Sequence, residues 1–232
     1  MRPHLIGEDP LHPERLWLKL IKIRYHHRST AISAIEQACW DILARSLDAP
    51  MWRLFGGKQH ARLRAYANGW YQGPRDPVFF AEKAAEMVAR GYTALKFDPF
   101  GAAYKQIAPE SERLALRIVA AVRQAVGDGV DLLIEAHDRF TVSTAIRLGR
   151  QLEPYRPFLL ETPVRSYDLR GHIEVQRALG YPVVLGEAFH ELRDFAELLH
   201  ERVIDIVQPE PMHLGPSTAR KAFAIAEAYD AL

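Results

Sequence analysis

The spacing of apolar residues changes once along the chain, near residue 62. Before that point it is helical. Leu16, Leu20 and Ile23 predict a helix from Pro13 to about Tyr25, and Ile32, Ile35, Cys39 and Ile42 form a stripe on a second helix that Ser29 or Thr30 can cap. Met51 to Phe55 reads as a short helical turn stopped by Gly56-Gly57. Trp17, Trp40 and Trp52 are expected in the core of this part, and His26-His27 with the arginines of the first helices on its solvated face. Residues 1–12 offer no element that could nucleate a fold, and no strand pair is found in this first third.

From Leu63 the pattern alternates between short apolar runs and amphipathic stretches. Strands are predicted at 63–68, 93–98, 131–136, 158–162, 183–187 and 204–208, and helices near 77–90, 109–126, 141–153, 168–179, 191–201 and 216–229. Such alternation argues for an α/β fold with a parallel sheet. A (β/α) barrel is favoured over an open doubly wound sheet. No glycine-rich phosphate turn follows the first strand, and charged residues stand at the C-terminal ends of at least five strands. Six βα units are present where a full barrel has eight, so the expectation is an incomplete TIM-type barrel over 63–232, lacking its last two strands. A helical remnant of a capping domain, 1–62, precedes it.

Composition narrows the partners. Thirty basic and twenty-nine acidic residues give a formal net charge of +1, which suggests neither nucleic acid nor membrane as partner. The single cysteine, Cys39, rules out an internal disulfide framework, fits a reducing compartment and reads as a packing residue. No apolar run approaches the roughly 20 residues of a membrane span, and the N-terminus lacks a signal-peptide core. The chain reads as cytoplasmic by default.

The candidate chemistry lies where strands meet loops. Leu132-Leu133-Ile134 runs into Glu135, Phe158-Leu159-Leu160 into Glu161, and Val183-Val184-Leu185-Gly186 into Glu187. Glu135 and Glu161 are 26 residues apart, as are Glu161 and Glu187, about the length of one βα unit. Three carboxylates at equivalent strand ends would make an oxygen-lined site suited to Mg²⁺. Strand alternation points His137 the same way as Glu135. Lys96 would add a cation at the rim, and Asp98 is a candidate contact to a substrate hydroxyl, a plain rim charge being the alternative. Metal and lysine around an anionic substrate suit abstraction of the proton next to a carboxylate, with the enediolate's charge held on oxygen. A metal-dependent amidohydrolase would need His-x-His at the end of the first strand. That strand ends Ala65-Tyr66-Ala67-Asn68-Gly69.

These residues resemble the enolase superfamily, and within it the mandelate racemase branch that includes sugar-acid dehydratases of the galactonate dehydratase type. The cap-domain signature is similar to Ala34-Ile35-Glu36-Gln37-Ala38-Cys39-Trp40-Asp41-Ile42, followed by Leu54-Phe55-Gly56-Gly57. The resemblance implies that Glu135, Glu161 (in Glu161-Thr162-Pro163) and Glu187 are Mg²⁺ ligands and that His137 is the general acid on the departing hydroxyl. It further implies that Glu210, in Gln208-Pro209-Glu210-Pro211-Met212-His213-Leu214-Gly215, orients a catalytic histidine carried by a seventh strand. His190 and His213 read as loop residues. Lys96-Phe97-Asp98 stands where the racemases carry Lys-x-Lys, which points to a dehydratase giving 2-keto-3-deoxy sugar acids rather than to a racemase or epimerase. Glu210 stands where an aspartate is usual, and Pro216 replaces the second glycine of the usual pair. The chain is expected to be an internal piece of a longer, homo-oligomeric enzyme. By itself it is expected to show little dehydratase activity, and a catalytically inactive remnant that still binds Mg²⁺ is the alternative.

Overall fold

The structure is a computed structural model that describes residues 2–23, 30–202 and 204–232. Tyr25, His26, His27 and Ser29 lie outside the described residues. Among those described, three helices come first: α1 (Pro13–Ile23), α2 (Thr30–Ser46) and α3 (Met51–Leu54). Then helix and strand alternate through α4 (Pro77–Ala89), β1 (Ala94–Phe97), α5 (Pro109–Val126), β2 (Asp131–Glu135), α6 (Val142–Leu152), β3 (Leu159–Glu161), α7 (Leu169–Ala178) and β4 (Val183–Val184). Three helices follow, α8 (Leu192–His200), α9 (Pro211–Leu214) and α10 (Pro216–Ala228). The chain divides into two compact units, one of Arg64–Leu185 with Glu201–Ile206 and the other of Met1–Leu63, Gly186–His200 and Val207–Leu232.

The first of these units holds a four-stranded parallel sheet in the order β1-β2-β3-β4, with one helix in each crossover. This is an α/β arrangement whose small parallel sheet is of the kind a partial (β/α) barrel contains. Helix starts are set locally. Asp76 accepts from the backbone N–H groups of Val78 and Phe79 with Pro77 at the first helical position of α4, Thr141 caps α6, and Asp168 caps α7. Leu95, Phe97, Leu132, Ile134 and Leu160 are buried on one face of the sheet. Alternation puts Ala94, Leu133 and Leu159 on the other, where they cluster with Val184 and Ile206. Each buried side chain of this size contributes about 1.5–3 kcal/mol, which offsets the cost of carrying charge inside the same sheet.

Three of the expected strands are altered. Residues 63–68 supply a single bridge, in which Ala67 donates its N–H to Ala94 O and accepts from Lys96 N–H, both at 2.9 Å. Leu63, four residues before Ala67, is exposed. Residues 204–208 form no strand among the described residues, and Val207 donates instead to Leu232 O at 2.9 Å. The expected strand 183–187 stops at Val184, because Gly186 (φ +133°) starts a turn closed by Phe189 N–H to Gly186 O.

In the second unit, Trp17, Leu20, Ile21 and Ile32 join α1 to α2, with Leu5 and Ile35 packed against them. Cys39 is buried as a packing residue, whereas Ile42 and Trp52, expected inside, are exposed. The apolar stripe of α2 outlasts the α1 surface that covers its first turns. A 3-10 turn at Arg2–His4 and the short helix α9 were not apparent from periodicity, being too brief to show one.

Candidate active site

In the sheet unit, the parallel register makes Glu135 and Glu161 Cα partners across β2 and β3. Lys96 on β1 stands on the same face. Its ammonium lies 2.8 Å from Glu135 Oε2 and 2.5 Å from Glu161 Oε1. All three are buried, at 7%, 1% and 0% exposure, so Lys96 sits between the two carboxylates rather than at an open rim. Tyr66 places its ring 5.8 Å from the ammonium.

One cation here faces two anions. Burial alone would lower the lysine's pKa, but the charges of Glu135 and Glu161 outweigh it and hold the group well above its ordinary range. Burial pushes the Glu161 carboxyl up to about 7, with Glu135's charge adding to the rise and Lys96 opposing it. Both shifts are upward, favouring the charged ammonium but the neutral carboxyl, and they have one cause: a single ammonium cannot neutralise two buried carboxylates, so Glu161 keeps a strong demand for a further positive charge. Glu161 Oε2 is buried without a hydrogen-bond partner. An all-oxygen donor pair with excess negative charge and an unused oxygen fits a hard divalent cation.

Past Glu135 the strand geometry ends. His137 (φ +50°) and Asp138 (φ +61°) adopt left-handed backbone, so the alternation that would align His137 with Glu135 no longer applies. Glu135 Oε1 accepts from the His137 backbone N–H at 2.7 Å, tying the turn to the carboxylate. The His137 side chain is half exposed, and its Nδ1 lies 2.7 Å from Asp98 Oδ2. That hydrogen bond raises the imidazole's pKa, against burial, with the nearby charge of Glu135 adding to the rise. Asp98 also accepts from Phe100 N–H, at 2.8 Å through Oδ1, and from Arg139 Nη2. Tyr71 is a further neighbour: burial, then the charges of Asp98 and Glu135, push its hydroxyl up. Neither Arg139 nor Tyr71 was singled out from sequence. The available signal for Arg139 was its position two residues beyond His137.

Glu187 and Glu210 belong to the helical unit. Glu187 is half-buried in the turn after Gly186. Glu210 caps α9, its Oε1 accepting from Met212 N–H at 2.8 Å. In this unit His213 Nδ1 lies 3.0 Å from Thr30 Oγ1, and its ring is 5.5 Å from that of His190. Among the described residues no three His, Cys, Asp or Glu side chains are grouped as a metal site. The pair Glu135–Glu161 is what the sheet itself assembles.

Residues 80–232 match the enolase C-terminal domain-like family, and residues 1–56 match the mandelate racemase / muconate lactonizing enzyme N-terminal domain. The chain is 45% identical over 207 residues to a D-gluconate dehydratase of Thermoproteus tenax, covering 89% of this chain and 42% of that protein. It is 38% identical over 205 residues to a D-gluconate/D-galactonate dehydratase of Picrophilus torridus, covering 88% and 52%. A mandelate racemase/muconate lactonizing enzyme from Jannaschia sp. CCS1 superposes with a TM-score of 0.89 at 34% identity, over 98% of this chain and 63% of that one. The chain thus spans about half the length of these two curated relatives. No helix among the described residues is long and apolar enough to cross a membrane.

Proposed function

The chain belongs to the mandelate racemase/muconate lactonizing enzyme branch of the enolase superfamily, and from that premise we propose that it forms part of a Mg²⁺-dependent sugar-acid dehydratase. The observation that carries the reading is the buried cluster Glu135–Lys96–Glu161 with His137 tethered beside it by its own backbone N–H. The names of the two relatives support an aldonic acid as substrate, D-gluconate or D-galactonate first.

In this reading Glu135 and Glu161 hold the metal, and Glu187 enters as the third carboxylate on its spacing and on the family resemblance. When bound, Mg²⁺ supplies charge stabilisation to the substrate's carboxylate oxygens, the superfamily's general pattern. The chain's own residues do the rest. Lys96 holds the two ligand carboxylates together in the sheet and adds positive charge next to the substrate's carboxylate. The net reaction is loss of water: the α-proton leaves to a base, the hydroxyl on the adjacent carbon leaves with a proton from His137, and the resulting enol becomes the 2-keto-3-deoxy acid. Proton delivery of this kind contributes about 10²–10⁴-fold in rate. The base is not assigned to a residue of this chain. The resemblance puts it on a seventh strand, with Glu210 orienting it.

The runner-up reading, a racemase, asks for a second lysine where Asp98 stands, and Asp98 is engaged by His137 and Arg139. The test is to screen aldonic and aldaric acids for Mg²⁺-dependent formation of 2-keto-3-deoxy products, using the chain alone and together with any continuation of its reading frame. Product that disappears in His137→Gln supports the proposal. Racemisation of an α-hydroxy acid without loss of water overturns it.

A further inference from the structure

We infer that Arg139 is a positioning residue that acts through Asp98 to fix the ring of His137, so that Nδ1 is held inward and Nε2 is the nitrogen left to release a proton. The purpose of this device rests on the dehydratase reading above; its geometry does not. Arg139 is nearly buried and spends its fork on three acceptors: Nε donates to Ala136 O at 2.6 Å, Nη1 to Gly101 O, and Nη2 to Asp98 Oδ2. The first two tie together the loops that follow β2 and β1, the loops that carry His137 and Asp98. The third fixes the carboxylate itself, whose other oxygen is already held by Phe100 N–H at 2.8 Å. Asp98 is therefore clamped from both sides, which favours a fixed partner for His137 over a contact free to meet a substrate hydroxyl.

The proton's position follows from donor chemistry. His137 Nδ1 lies 2.7 Å from Asp98 Oδ2 and 3.0 Å from Arg139 Nη2. A guanidinium nitrogen only donates and an ionised carboxylate only accepts, so Nδ1 can satisfy one of them and not both. The shorter, charge-assisted contact is with Asp98 Oδ2, whose lone pairs at 2.7 Å would repel an Nδ1 without a hydrogen. Nδ1 thus carries the hydrogen that faces Asp98, and Nε2 has no hydrogen bond among the described residues. The backbone closes the arrangement: at φ +50°, with its N–H on Glu135 Oε1, His137 is held at its Cα as well as at its ring. Lysine at 139 would keep the charge but could not span three acceptors in one plane.

The experiment is a long-range ¹H–¹⁵N correlation spectrum of ¹⁵N-histidine-labelled chain, at a pH where the ring is neutral. His137 is assigned by the signal lost in His137→Gln. The expected result is the Nδ1–H tautomer in the wild-type chain, with a shift toward the Nε2–H tautomer in Arg139→Lys and in Asp98→Ala. On an acid that the protein dehydrates, Arg139→Lys should lower kcat by about 10²-fold with KM nearly unchanged. An Nε2–H tautomer in the wild type overturns the inference without any variant needing to fold. A tautomer unchanged in Arg139→Lys also overturns it. The expected tautomers together with racemisation of an α-hydroxy acid without loss of water would support the positioning and overturn the dehydratase reading, so the two failures are distinguishable.

Discussion

Glu135 and Glu161 are register partners on adjacent parallel strands, and their carboxylates converge on the single ammonium of Lys96. Parallel pairing of β2 with β3 places both on the same face of the sheet, one pleat beyond the apolar pair Leu133 and Leu159. The site is thus a continuation of the core, with charge replacing methyl groups.

If those two carboxylates are metal ligands, calorimetry with Mg²⁺ should show one site, and Glu161→Gln should abolish it. Glu161 is fully buried and contributes the unpartnered Oε2. Affinity retained in that variant would remove Glu161 from the ligand set.

Lys96 is expected to be structural as well as catalytic. Replacing it by Met leaves two buried carboxylates without their counter-charge, and breaking a buried ion pair from one side costs about 3–5 kcal/mol. Urea unfolding in the presence of chelator measures this. A loss below about 1 kcal/mol would mean that the carboxylates find another partner when the ammonium is gone.

His172 should give the fold an acid-sensitive limb. It is fully buried on α7, with Nδ1 2.9 Å from Asp168 O and Nε2 unpartnered. Burial lowers its pKa below the ordinary histidine value, against the opposing hydrogen bond and charge of Asp168. Because the folded-state pKa is depressed, the unfolded chain binds the proton first. The stabilisation is therefore complete above about pH 6.5 and is lost as pH falls through the folded value. The slope from this group is at most about 1.4 kcal/mol per pH unit. Unfolding curves for His172→Gln and wild type, compared between about pH 7 and pH 5, should differ by that slope. Parallel curves would contradict the assignment.

Gly215 is expected to tolerate no side chain. It sits at φ +78°, and a Cβ there would come within 1.9 Å of Glu36 Oε2. Glu36 is itself buried, its Oε1 accepting from Ser217 N–H at 3.1 Å and Trp40 Nε1 at 3.2 Å. It therefore cannot retreat without uncapping α10. Gly215→Ala should destabilise by about 1–3 kcal/mol from overpacking and backbone strain together. Chemical denaturation is the measurement, and a neutral effect would show that Glu36 has an alternative rotamer.

Much of this is legible in the sequence. The helices of the alternating region fall within about two residues of their expected ends, because apolar period and capping residues such as Asp76, Thr141 and Asp168 are local properties of the chain. The pairing of Glu135 with Glu161 was implied by their equal placement on successive strands, since a parallel sheet brings equivalent strand ends together.

What sequence alone determined is therefore the order of elements, the small parallel sheet and the residue types at its C-terminal ends. Tertiary structure decided the rest, for reasons that no local pattern carries. Whether 63–68 and 204–208 become strands depends on backbone partners, not on their own apolar content; one makes a single bridge through Ala67, and the other holds only an isolated bridge residue, Val207. The burial of Lys96 depends on two carboxylates 39 and 65 residues further along the chain. The environment of His137 depends on two left-handed residues and on Arg139 reaching back 41 residues to Asp98, a contact set by loop geometry. Periodicity records which way a side chain faces while the backbone stays regular. The surroundings of His137 are set where that regularity stops, two residues past the end of β2.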